Sequence, residues 1–425
     1  RTDDIHGLTE ELARDMGEGE ASIIGLEALG EGQADAPVVR LLQTLFEDAL
    51  QVGASDVHIE PQEKHLAIRF RIDGMLHPQT QADLKIAPAL ALRLKIVSGL
   101  DISEKRLPQD GRFAVKVRGR TVDVRLSTMP TQYGESVVMR LLSQGDSSHT
   151  LDGLGMPPDM LERFRAILHR PNGLVLVTGP TGSGKTTTLY AALGELNDPG
   201  TKIITVEDPV EYRLPGVNQV QANEKIDLSF ARVLRAILRQ DPDVILVGEM
   251  RDPDTAQIAL RAAMTGHLVL STLHTNDAAS TPVRLLDMGV PAFMVATSVQ
   301  GVLAQRLVRK VCVNCKTPHR PTPQELVWLG RAQADAQAED GFVAGTGCDR
   351  CHGTGYSGRR AIHELLEINA ALAESLARKN PGEFVSAARA AMAGHTLRDQ
   401  AITLARAGVT SLAEAMRASA QDETS

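Results

Sequence analysis

The segment Gly179-Pro180-Thr181-Gly182-Ser183-Gly184-Lys185-Thr186 narrows the fold more than any other stretch of this 425-residue chain. It satisfies G-x-x-x-x-G-K-[ST], the phosphate-binding loop. The apolar run 174–177 before it reads as a buried strand, and 186–196 after it reads as a helix. That strand, loop and helix order is the context the pattern requires. Gly179, Gly182 and Gly184 allow a tight turn with N–H groups aimed inward. The helix N-terminus adds a partial positive charge at the same place. Lys185 has the reach and charge for β- and γ-phosphates, and the Thr186 hydroxyl suits the Mg²⁺ between them. With Pro180, Thr181, Ser183 and Thr187, these residues form the expected contact set for ATP.

Further strand ends should surround this loop. Residues 202–206 read as a second buried strand ending at Glu207, where a carboxylate suits a metal or water role; an ordinary acidic turn is the alternative. Residues 229–240 read as a helix stopped by Asp241-Pro242-Asp243. Residues 244–247 read as a third strand, followed by Gly248-Glu249. The aspartate common at this position is replaced by Gly248, leaving Glu249 to hold Mg²⁺ through water or to take a proton from an attacking water. A helix over 254–264 and a fourth strand over 267–272 lead to His274 and Asn276, which could sense a γ-phosphate by hydrogen bonding or be structural. Asp277 is expected to cap the next helix. Residues 290–307 read as one long apolar helix, interrupted by Gln300 and Gln305.

Before the nucleotide-type segment, residues 37–145 read as a small α+β domain. A helix begins at Pro37. Residues 66–72 alternate like a strand and run into Asp73-Gly74, a hairpin signal. Residues 87–98 read as a helix, and 113–117, 122–126 and 136–142 as further strands. Arg69, Arg71, Arg93, Arg106, Arg112, Arg125 and Arg140 are expected along an exposed face. Most suit a solvated surface. Arg112 and Arg125, flanking one hairpin, are the candidates for arginine fingers that balance phosphate charge. Residues 1–36 are acidic and Gly-rich, with a short helix expected over 8–16 and a linker after it. Residues 145–158 read as the junction between the domains.

Cys312-x-x-Cys315 and Cys348-x-x-Cys351 are separated by residues 316–347, 32 positions. Four thiolates from two tight turns make the tetrahedral set that Zn²⁺ prefers, with no open position for substrate. The spacer exceeds the common range of about 15–20 residues, so a helix over 324–338 is expected inside it. Cys348-x-x-Cys351-His352 also fits a c-type haem pattern, disfavoured by the partner pair without a histidine. Residues 362–418 read as a helical tail.

Composition limits the function classes. The net charge of −8 and the 3% aromatic content argue against a nucleic-acid grip spread over the whole surface, though not against a local basic groove. No apolar run approaches a membrane span. Arg1-Thr2-Asp3-Asp4 shows neither a signal-peptide pattern nor an initiator Met, which suggests a trimmed chain. Four cysteines without a secretory signal point to a metal site in a reducing compartment, with the cytoplasm as the default location.

Taken together, residues 179–187, 204–211, 244–251 and 266–276 resemble, in order and flavour, the Walker A, Asp, Walker B and His boxes of the secretion ATPases. Ser55 to Pro61 and Leu107 to Arg112 are similar to the domain that precedes them in that family. The nearest resemblance is to the type II secretion system ATPases, over about residues 36–415. It implies an α/β fold: a RecA-like P-loop domain over 146–305, preceded by a small α+β, PAS-like domain over 37–145. A tetracysteine zinc module over 306–361 and a helical subdomain over 362–425 follow, with 1–36 a remnant of an N-terminal region. It implies a cytoplasmic homohexamer that hydrolyses ATP with Mg²⁺, docks on inner-membrane platform proteins and drives pseudopilus assembly. Lys185 and Glu249 would then be catalytic, with Glu207 and His274 acting at the γ-phosphate. The family's platform-binding N-terminal domain has no clear counterpart in residues 1–36, so docking is in doubt. A type IV pilus assembly motor and a nucleic-acid translocase remain as alternatives.

Overall fold

The computed structural model describes residues 23–25, 36–143, 150–331, 341–378 and 380–419. The chain divides into two compact units, 1–147 and 148–425. Each unit is built on a seven-stranded sheet.

In the first unit the sheet order is β1-β5-β6-β7-β2-β3-β4. Its strands are β1 (Ile23–Gly25), β2 (Ala54–Pro61), β3 (Leu66–Ile72), β4 (Met75–Ala82), β5 (Gln109–Val117), β6 (Arg120–Thr131) and β7 (Gly134–Ser143). β1 runs parallel to β5; the other pairs are antiparallel. Two tight turns set the register. Asp73 and Gly74 have φ 49° and 85°, and Arg118 and Gly119 have φ 48° and 80°. Positive φ at both central residues gives the hairpin turn whose twist matches its strands. Helices α1 (Ala36–Gln51) and α2 (Ala87–Val97) contribute Leu42, Phe46, Leu90 and Leu94 to a core shared with Val57, Ile68, Phe70, Val115, Val124 and Met139. Phe46 meets Phe113 edge-on, with ring centroids 6.2 Å apart.

The alternation that sends those side chains into the core sends their neighbours to the opposite face. Arg112 stands opposite Arg125, Arg125 opposite Arg140, and Arg140 opposite Asp56. The Arg140 Nε donates to Asp56 Oδ1 at 3.0 Å. Two of the expected face arginines lie elsewhere: Arg93 is in α2, and Arg106 lies in the loop between α2 and β5. The helix expected over 8–16 falls outside the described residues, as does most of the linker after it.

The second unit is organised by a largely parallel sheet of order β10-β9-β11-β12-β8-β13-β16. Its strands are β8 (Gly173–Thr178), β9 (Ile203–Glu207), β10 (Val217–Gln221), β11 (Val244–Val247), β12 (Leu268–Leu273), β13 (Val299–Val311) and the antiparallel β16 (Tyr356–Glu367). Every residue of β8, β9, β11 and β12 is buried, as expected where helices cover both faces. One face packs on α3 (Pro158–Leu168) and α4 (Lys185–Leu196). The other packs on α5 (Phe230–Ile237), α6 (Pro253–Met264), α7 (Ser280–Asp287), α8 (Ala292–Ser298) and the C-terminal helices. Between β13 and β16 the chain adds a small ladder, β14 (Lys316–Pro318) with β15 (Val343–Gly345), and α9 (Pro323–Leu329). The C-terminal helices are α10 (Ala370–Ala377), α11 (Pro381–Ala391), α12 (Leu397–Arg406) and α13 (Leu412–Ser419).

Three expectations are corrected here. Residues 290–307 are not one helix: α8 ends at Ser298 and β13 continues from Val299. The tail does not open as a helix, because Ile362 to Glu367 belongs to β16. In both cases the segment concerned, 301–305 in β13 or 362–366 in β16, is buried on both faces, so its apolar residues give no period of two. Ile362, Leu365 and Leu366 even mimic helical spacing. The spacer helix is shorter than expected. Thr322 and Glu325 form a capping box at its start, and Gly330, at φ 73°, ends it. Residues 332–338 of that expectation lie outside the described residues.

Phe46→Ala should cost the first unit about 3–5 kcal/mol, because the cavity opens where both helices meet the sheet. Hydrogen exchange of the β2, β5 and β6 amides is the measurement. Protection unchanged to within about 1 kcal/mol would contradict this account of the core.

Candidate functional site

The C-terminal ends of β8, β9, β11 and β12 all lie at one edge of the second sheet, the edge where open α/β sheets place their ligands. β8 delivers the phosphate loop. Gly179, Gly182 and Gly184 have φ 153°, 79° and 88°. Space forbids a side chain at two of them as well: a Cβ at Gly179 would lie 2.3 Å from the Gln305 carbonyl oxygen, and one at Gly184 2.7 Å from Gln305 Nε2. Lys185 opens α4 and donates from Nζ to the carbonyls of Gly179 at 2.8 Å and Pro180 at 3.0 Å. Burial lowers its pKa, and the nearby Glu249 carboxylate opposes that shift. Thr181 is exposed, Thr186 and Thr187 are part-buried at the start of α4, and Ser183 is buried. Ser183 Oγ has no hydrogen-bond partner among the described residues, as suits a hydroxyl set to meet a phosphate oxygen.

β11 delivers Glu249. Its side chain is 12% exposed and touches the Arg251 guanidinium at 2.5 Å and His274 Nε2 at 3.5 Å. Contact with Glu249 raises the Arg251 pKa. A side chain at Gly248, where an aspartate is usual, would be crowded by the neighbouring strand. The Gly248 N–H donates to the Val206 carbonyl at 2.8 Å, and a Cβ there would lie 3.2 Å from that oxygen and 3.3 Å from Glu207 Cα. β12 delivers His274. Thr178, at the end of β8, donates to the Leu273 carbonyl at 2.8 Å and accepts from the Thr275 N–H at 3.0 Å. The histidine is thereby tied to the strand that carries the phosphate loop. The Asp277 carboxylate accepts from the Ser280 N–H at 2.9 Å, at the start of α7.

The structure therefore brings Lys185, Glu249 and His274 together. Glu207 ends β9 in a separate buried network. One of its carboxylate oxygens accepts from the Tyr190 hydroxyl; the other accepts from Thr205 at 2.6 Å and Gln219 at 3.2 Å. Burial, first, and the Glu207 charge push the Tyr190 phenol well above its ordinary pKa. Tyr190 also stacks edge-on against Tyr212, with centroids 4.7 Å apart. Arg112 and Arg125 belong to the first unit, opposite one another on β5 and β6.

The four cysteine sulfurs lie within 4.8 Å of one another. Three Sγ pairs lie 4.0 Å (Cys312 and Cys348), 3.8 Å (Cys315 and Cys351) and 3.7 Å (Cys348 and Cys351) apart. A tetrahedral Zn–S₄ centre with bonds of about 2.3 Å needs sulfurs about 3.8 Å apart, so the cluster is compatible with zinc. The N–H groups of Cys348 and Gly355 each point at Cys351 Sγ at 3.2 Å. Burial works against the thiolate, yet these donors hold the Cys351 pKa down at about 6.

Two residues escaped the sequence reading. Arg251 lies two positions beyond Glu249, a spacing that carries no signal of contact by itself. By sequence alone, Gln305 reads as a break in an apolar helix. It is 2% exposed, donates from Nε2 to the Ser183 carbonyl at 2.7 Å, and accepts from the Thr188 hydroxyl at 2.5 Å. A polar residue within a run of buried strand residues was its only signal. Gln305→Leu should strand both partners and cost about 2–4 kcal/mol, measured by chemical denaturation. A loss below about 0.5 kcal/mol would show that the amide does not hold the loop.

Comparison with known proteins bears on the whole chain. Residues 31–417 match the family described as type II/IV secretion system protein. The type II secretion system ATPase E of Vibrio cholerae is 46% identical over 98% of this chain and 80% of its own length. The type II secretion system protein E of Dickeya dadantii is 47% identical over 92% of this chain and 78% of its own. Among solved structures, the pilus retraction motor PilT with bound ADP superposes with a TM-score of 0.61 at 29% identity, covering 90% of this chain and 98% of that one.

Proposed function

The chain belongs to the type II/IV secretion system protein family, and we propose from this that it is the ATP-hydrolysing motor of a type II secretion system. One observation carries the chemistry: Lys185, Glu249 and His274 converge from three strand ends on the mouth of one glycine-built loop. The secretion assignment follows the names of relatives 46–47% identical over nearly the whole chain, rather than that of the pilus motor at 29%.

The residues divide the work as follows. The loop N–H groups and the α4 N-terminus receive the phosphates, and Lys185 exchanges the Gly179 and Pro180 carbonyls for phosphate oxygens. Pro180, Thr181, Gly182, Ser183 and Thr187 complete the cradle. The Thr186 hydroxyl, with Glu249 through water, would hold Mg²⁺, which neutralises charge on the phosphates when bound. Glu249 takes the proton of the attacking water, while Arg251 and His274 orient its carboxylate from either side. His274 hydrogen-bonds the departing γ-phosphate. Glu207 serves from below, through Tyr190 on α4; direct contact with phosphate-bound water requires it to give up Tyr190 and Thr205.

Arg112 and Arg125 suit the role of arginine fingers supplied to a neighbouring subunit's nucleotide, which makes a homohexameric ring the fitting assembly. Residues 146–305 are assigned a RecA-like fold and residues 37–145 a PAS-like one. Zn²⁺ on Cys312, Cys315, Cys348 and Cys351 would brace the connection between β13 and β16. No helix among the described residues is long and apolar enough to cross a membrane. We place the motor in the cytoplasm, held to the inner membrane by platform proteins.

Lys185→Ala should reduce ATP turnover at least about 100-fold by removing charge compensation at the phosphates. Wild-type turnover in a phosphate-release assay would end the reading. For the metal, chelation should make residues 312–355 the first site of proteolytic cleavage, because metal binding supplies much of a small module's folding energy. An unchanged cleavage pattern would argue against a bound metal.

A further inference from the structure

His274 is held between two anchorages. Its two chain neighbours, through the Leu273 carbonyl and the Thr275 N–H, bond to Thr178 of β8. Beyond Thr275, residues 276–278 are bonded to three different helices at the end of the chain, each through a separate charged side chain. Arg306, on β13, donates to the Asn276 carbonyl and to the Ala418 carbonyl in α13, each at 3.1 Å. Asp277 faces Arg389 of α11 at 3.4 Å. Glu364, on β16, accepts the Ala278 N–H on one oxygen and the Leu397 N–H, the first of α12, on the other, each at 2.9 Å.

Glu364 is the centre of this arrangement. Its residue is 4% exposed, and its two oxygens join two backbone segments far apart in sequence. A buried carboxylate accepting two backbone N–H groups makes strong, charge-assisted bonds. Shape alone does not require a carboxylate here, since an apolar side chain could fill the space. The two buried N–H groups need acceptors, and a carboxylate supplies both while holding Ala278 and Leu397 at a fixed separation.

We propose that Glu364 is a positioning residue for hydrolysis: supported by Arg306 and Arg389, it locks the 276–278 loop to helices α11, α12 and α13 and so sets His274 against Glu249. This rests on the assignment of His274 to the nucleotide site. The C-terminal helices then form one mechanical body with the loop that meets the γ-phosphate. A shift of those helices relative to β12 moves the histidine, and a change at the histidine is passed to the helices.

The test is a pair of mutant cycles on the full chain. Glu364→Gln keeps the volume but turns an amide NH₂ toward one of the two N–H groups. It should lower kcat for ATP about tenfold and leave KM within about twofold, since a small misplacement near the reacting atoms acts on chemistry before binding. Arg389→Ala, at a half-exposed side chain where folding is not at stake, should lower kcat about threefold. In a His274→Ala background each should cost less than about twofold, because its effect passes through the missing ring. Wild-type kcat in both single variants, or losses that multiply fully in the His274→Ala background, would overturn the proposal. If Glu364→Gln fails to fold, the Arg389 cycle decides. Wild-type kcat in His274→Ala alone is a separate result: it removes His274 from the site, and this proposal with it.

Discussion

Everything assembled at the edge of the second sheet depends on a backbone loop, residues 179–184, holding a shape that isolated backbone does not hold. Three positive-φ glycines permit that shape, but permission is not stability, since glycine gives up the most freedom on folding. What fixes the loop is Gln305. The two ends of its amide hold the Ser183 carbonyl and the Thr188 hydroxyl, and its own backbone oxygen lies where a Cβ of Gly179 would be. These bonds satisfy the Ser183 carbonyl and hold the loop in shape, while the buried Ser183 Oγ has no partner among the described residues.

The same rule runs through the rest of the site. Charged groups at strand ends are held by hydrogen-bond and ion-pair partners, so few of them must reorganise when charge develops. Glu207 is saturated by Tyr190, Thr205 and Gln219, which fixes β9 and β10 against α4. Glu249 sits between Arg251 and His274, and the histidine is fixed at both of its chain neighbours.

β13 and β16 give the fold its long connection. They pair over most of their length, with Gln305 opposite His363, and the cysteine segment is the excursion that joins them. The Cys312 N–H donates to the Gly355 carbonyl at 2.9 Å, so the excursion closes back onto itself before β16 begins. One strand pair thus carries the phosphate-loop buttress, the support for the His274 loop and both ends of the cysteine cluster.

The strand, loop and helix around Lys185, the carboxylate after β11, the histidine after β12 and the paired cysteine knuckles were all legible in the sequence. Each depends on local spacing: residues a few positions apart share a turn or a strand end whatever surrounds them. The two-residue hairpin at Asp73-Gly74 is local in the same sense, fixed by residues that tolerate positive φ. What the sequence could not decide was long-range pairing. Residues 301–305 and 362–366 are buried on both faces, so their pattern has no period to separate strand from helix, and only the partnership of β13 and β16 with each other and of β13 with β8 made them strands. Gln305 and Glu364 take their roles from neighbours more than 80 positions away in the chain. Burial gave those two polar side chains their meaning, and burial is a property of the folded whole.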